Sequence, residues 1–203
     1  MRLSIFWRLA LGSLAIIVVV AGVNIYTLSQ LRQLSTLSTE LVSNHYPAIE
    51  TAKRLIASLY TQLRSEKKYL AVRDEAFLND FDEEAEEFRK TLSSLLERES
   101  SSQGQTLLKD TERLHDDYLT LFREAAAHQS APPRKPSARY ENQRDVLMIR
   151  IPNALKSYGE LHENRISKVV NDSRERALRA ETITRQLVIL ALLLGLVLAG
   201  IAS

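Results

Sequence analysis

Cysteine is absent from this chain, which excludes disulfides and thiolate metal sites alike. Glycine and proline are scarce, 6 and 5 among 203 residues, and aromatics supply only 6%. That composition suits long helices and argues against a β-sandwich or a nucleotide-binding α/β domain. Charge is sparse at one end and missing from the other. Arg2 and Arg8 are the only charged residues before Thr27, and none follows Arg185. The other 25 of the 27 Lys and Arg therefore face all 25 Asp and Glu between positions 28 and 186. A middle so close to neutral gives nucleic acid no electrostatic footing as a partner.

Catalytic signatures are missing as well. The sequence holds no Gly-rich phosphate loop, no nucleophile elbow and no metal-ligand cluster. Its four histidines, at 45, 115, 128 and 162, stand singly. The acidic stretch "DFDEEAEE" lacks the central glycine and ligand spacing of a calcium loop and reads as a solvated helix face. No enzyme chemistry, metal or cofactor is expected from these residues.

What the chain does have is two apolar runs and a helical middle. Residues 9–23 carry no charge, and with Trp7 and Tyr26 as interfacial flanks they approach the roughly 20 residues a bilayer requires. They predict a transmembrane helix over 9–26 behind a cytoplasmic tail, 1–8, oriented by Arg2 and Arg8. A cleaved signal peptide ending near Val19-Val20-Ala21 is the alternative. Apolar spacing that continues through Leu28, Leu31, Leu34, Leu37 and Leu41 favours an uncleaved helix. The second run, 187–203, offers 16 uncharged residues before Ser203 and returns the chain, giving an in-out-in topology with 27–186 outside. No positive charge follows this run, so the sequence reads as the first part of a longer protein, cut in or just after its second span.

Between the runs, four helical patterns predict an all-α, antiparallel up-down-up-down four-helix bundle whose outer helices continue into the spans. The first seam holds Val42, His45, Ile49, Ala52, Ile56, Leu59, Leu63, Glu66 and Leu70. Asp74 caps a second helix bearing Phe77, Phe81, Ala85, Phe88, Leu92 and Leu95. A Ser-rich turn over 99–105 precedes a third, with Leu107, Thr111, Leu114, Tyr118, Leu121 and Ala125. After a Pro-rich loop at 129–139, the fourth starts near Tyr140 and buries Met148, Ile151, Leu155, Tyr158 and His162.

Two kinds of residue interrupt these patterns. Arg150 lies inside "VLMIRIPN", and counting from the expected membrane edges brings it level with Arg64. Two guanidinium groups at one height can clamp a small anion, or each can pair with an acid such as Glu83 or Glu87. Pro152 removes a helix-interior N–H and frees the Met148 carbonyl, predicting a kink. Pro47, in "NHYPAIE", is either a joint or the first turn of a new helix. His45 and His162 fall on apolar seams, as a pH switch or as hydrogen-bonded core histidines.

The layout resembles the sensory half of bacterial transmembrane receptors with four-helix-bundle input domains, namely sensor histidine kinases and methyl-accepting chemotaxis proteins. "NHYPAIETAKRL" and "LRSEKKYLAVRDEAFLNDF" are similar to first- and second-helix stretches of such sensors, and "LAGIAS" looks like the end of a span before a HAMP linker. The resemblance implies a homodimer in the inner membrane, with 27–186 periplasmic. It also implies a signal carried by the last helix to cytoplasmic kinase domains and a response regulator. A chemoreceptor is the second choice, and a ligand-free structural tether the alternative of another class.

Overall fold

In a computed structural model of the protein, the described residues are 14, 17–18, 20–29, 32, 45–128 and 137–202. They are helical throughout, apart from short connections. Four long helices follow one another: α1 (Tyr46–Val72), α2 (Glu75–Arg98), α3 (Ser102–His128) and α4 (Ala138–Ala202). Residues 20–29 form a further helical stretch.

Each boundary has a local cause. Pro47 occupies the first turn of α1, where its missing N–H has no helical partner to lose. Arg73 ends α1 in the left-handed region (φ 63°), its N–H donating to the Tyr69 carbonyl at 2.8 Å. Asp74 then caps α2 by accepting from the Ala76 N–H at 2.9 Å. The Pro-rich loop expected at 129–139 falls on positions mostly outside the described residues.

Two compact units divide the chain: Val42–Arg165, and Met1–Leu41 with Ile166–Ser203. Within the first, all four helices feed one core. Phe81, Phe88, Phe122, Leu59, Leu108, Ile151 and Leu155 have no exposed surface. Burying each such side chain contributes about 1.5–3 kcal/mol. The Phe81 and Phe122 rings pack with centroids 4.2 Å apart. Polar contacts give the register. Lys68 lies over the Phe77 ring while Glu84 meets Ser58 and Gln62, so α1 and α2 run antiparallel. Asp116 meets Arg89 and Arg123 meets Asp82, so α2 and α3 do too. Glu66 meets Arg144 while His45 meets His162, which sets α4 antiparallel to α1.

In the second unit, α4 continues to Ala202. Side-chain hydroxyls bond back one turn, Ser173 to the Val169 carbonyl and Thr182 to that of Leu178. Leu187, Val188, Ile189, Leu190 and Leu193 are exposed.

The membrane topology is corrected here. Among the described residues no helix is long and apolar enough to cross a membrane, so the in-out-in placement in a bacterial inner membrane, with 27–186 periplasmic, is overturned. The apolar end of α4 has 16 uncharged residues, spanning roughly 24 Å against a hydrocarbon core of roughly 30 Å. The tail 1–8, much of the apolar run at 9–23, and positions 33–44 that would join it to α1 lie outside the described residues.

Candidate functional site

The structure does not assemble the expected arginine pair. Arg64 and Arg150 are both exposed, and neither forms an ion pair with Glu83, Glu87 or any other described residue. Pairing 45 with 162 and 66 with 144 sets Arg150 level with positions 57 to 60, about one to two turns from Arg64. Counting from apolar boundaries misjudged the register. Pro152 is buried inside α4, which continues through it as one α-helix.

What the fold does assemble is polar and buried. The larger constellation centres on Glu99, just past the end of α2, with its side chain only 3% exposed. Ser101 donates to Glu99 Oε1 from both its backbone N–H (2.8 Å) and its hydroxyl (2.6 Å). Tyr158 and His162 Nε2, from α4, reach Oε2 at 3.0 Å each. The Arg165 guanidinium stands 3.6 Å from Oε1. Burial pushes this carboxyl up, but the Ser101, Tyr158 and His162 hydrogen bonds outweigh it and hold the pKa at about 2.

Gly104 makes room for this arrangement. A Cβ there would lie 2.4 Å from the Glu99 carboxyl carbon, so a side chain would displace the acid. Gly104 N–H also donates to the Ser101 hydroxyl at 3.1 Å.

From Glu99 the chain of contacts continues outward. His162 Nδ1 lies 2.9 Å from Nδ1 of His45, at the start of α1. With Glu99 ionised, His162 donates from Nε2, leaving Nδ1 to accept from His45. One extra proton can enter without breaking the Nδ1 contact, since one ring still accepts. A second would set two N–H groups against each other. Burial pushes the His162 pKa down; Glu99 opposes that shift, whereas His45 and Arg165 reinforce it.

A second cluster lies deeper in the same unit. Glu66 has no exposed surface, accepts from the Tyr118 hydroxyl at 2.5 Å and faces Arg144 at 3.5 Å. Burial pushes its carboxyl up, against the pull of Tyr118, Tyr140 and Arg144. Tyr140 faces this carboxylate, yet its hydroxyl and Glu66 Oε1 complete no hydrogen bond. Nearby, His115 stacks on Phe88 (4.0 Å, 20°) and bonds Gln62 at 2.9 Å. Burial, aided by Arg89 and opposed by Asp116, lowers its pKa to about 4, so it is neutral at physiological pH.

The sequence placed His45, His162, Glu66, Tyr118 and Tyr158 on apolar seams without connecting them. Glu99 it assigned to a turn; the signal was an acid followed within five residues by a glycine that admits its side chain. No group of three or more His, Cys, Asp or Glu among the described residues is arranged to hold a metal. Compared with known proteins, the chain matches no family model, no curated protein and no solved structure.

Proposed function

We propose that the chain is the sensory input module of a two-component sensor histidine kinase. On this reading its four helices form an up-down-up-down bundle, and proton occupancy of the Glu99–His162–His45 chain is the input it reads. The module acts as a homodimer, and its last helix passes the change to output domains and through them to a response regulator. One observation carries the reading: the half-buried His45 and buried His162 tie the start of α1 to α4, and Glu99 adds the end of α2. The groups that face the pair leave the added proton to the imidazole rings. Glu99 stays ionised, Tyr158 is pushed up out of range by burial and by Glu99, and Arg165 stays cationic. Burial and Arg165 hold the His162 pKa below its ordinary value, so this ring takes up its proton on the acid side.

A switch of this kind needs only an ångström-scale shift of a packed helix. A second proton opens the Nδ1 contact and releases α4 from the start of α1. The test joins this chain to a histidine kinase output and measures autophosphorylation at about pH 5.5 and about pH 7.5. A several-fold pH response that disappears in His162→Gln supports the reading. Equal activity at both pH values, or a response unchanged in that variant, sinks it.

A further inference from the structure

On the flank of α1 and α2 lies a groove of about 300 Å³, lined by Thr51 and Arg54 from α1 and by Lys90, Thr91, Ser94, Leu95 and Arg98 from α2. Its lining is one-sided in charge: three cations, three hydroxyls and no acid. The antiparallel register that sets Glu84 against Ser58 and Gln62 brings the early turns of α1 beside the late turns of α2. Residues far apart in sequence thus converge on one opening.

The cations are unequally engaged. Lys90 pairs with Glu86 one turn away at 3.2 Å, an exposed contact of the weak kind. Thr91 reaches Glu87 at a long 3.4 Å. Arg54 and Arg98 are exposed and form no ion pair with any described residue. Like charges facing a shared hollow repel one another, and an anion seated between them removes that repulsion. Two guanidinium forks suit a planar or tetrahedral oxyanion bidentately, the ammonium adds a point charge, and the hydroxyls donate to remaining oxygens.

We infer that this groove binds a small dianion bearing a phosphate-type oxyanion, held by Arg54, Lys90 and Arg98. The volume exceeds what inorganic phosphate fills, leaving room over Leu95 for a small organic group, as in a phosphate monoester. The inference goes beyond the proton-sensing role and does not depend on it, since none of these residues belongs to the Glu99–His162–His45 chain.

The test is calorimetric titration of the full chain with inorganic phosphate, then sulfate and succinate, at constant ionic strength. Saturable phosphate binding is expected, weakened at least ~10-fold in Arg54→Gln and in Arg98→Gln. Arg64→Gln and Arg150→Gln, also exposed cations but outside the groove, serve as controls and leave it unchanged. Thermal unfolding of each variant without ligand confirms that folding is intact. Succinate binding as tightly as phosphate would overturn the phosphate assignment. Absence of saturable heat up to ~10 mM, or equal losses in the control variants, would overturn the site itself.

Discussion

Gly104 shows how much can rest on an absent side chain. Its place against Glu99 leaves no room for a methyl group, since the nearest carboxylate oxygen would lie 2.8 Å away. Gly104→Ala should therefore destabilise the protein by about 1–3 kcal/mol and turn Glu99 away from His162. Chemical denaturation gives the first quantity. The second appears as a His162 titration shifted to lower pH, because Glu99 is what favours its protonation. A buried ion pair behaves differently. Arg144→Met strands Glu66 without its counter-charge and should cost about 3–5 kcal/mol, whereas Glu66→Leu combined with Arg144→Met should recover most of that loss. A double-mutant cycle in denaturant measures both.

Among the helices, legibility in sequence followed from periodicity. Phe81, Ala85, Phe88, Leu92 and Leu95 repeat at helical spacing and are all buried, because an amphipathic helix has only one face to bury. The α2 cap was equally plain, and Asp74→Ala should cost about 1 kcal/mol in thermal stability. On α3 the reading slipped by one position in places. Leu107 and Leu121 were expected inside, yet Leu108 and Phe122 are the fully buried residues, since apolar side chains sit side by side there. The polar clusters were illegible for another reason. Which seam residues meet depends on inter-helix register, and periodicity within one helix does not contain it. That is why Arg64 and Arg150, level by residue count, lie one to two turns apart, and why the contact of His45 with His162 is invisible in either helix alone. The apolar end of α4 misled in another way, since its 16 uncharged residues fall short of the roughly 20 that a bilayer requires.

For the whole molecule, the titrating groups combine into a direction. His115 and His162 both have lowered pKa values when folded, so the unfolded chain binds their protons more readily. The stability they protect is complete above about pH 6.5 and drains as pH falls below it, for His115 as pH approaches 4. For His115 this amounts to about 3 kcal/mol, and His115→Phe should flatten that part of the profile. Glu99, lowered when folded, acts further down: its contribution is present above about 4.5 and lost as pH falls toward 2. Glu99→Gln should remove that acid limb while leaving the limb from His115. Melting temperature followed against pH separates the two.

The account's central claim is that His45 and His162 share a proton while Glu99 orients the pair. Nitrogen-15 NMR of the labelled imidazoles across the pH range tests it most directly. The account predicts a His162 held as the Nε2–H tautomer at neutral pH, a coupled two-step titration of the two rings, and loss of that coupling in Glu99→Gln. Two independent, single-step titrations at ordinary histidine pKa values, with His162 in mixed tautomers, would contradict it.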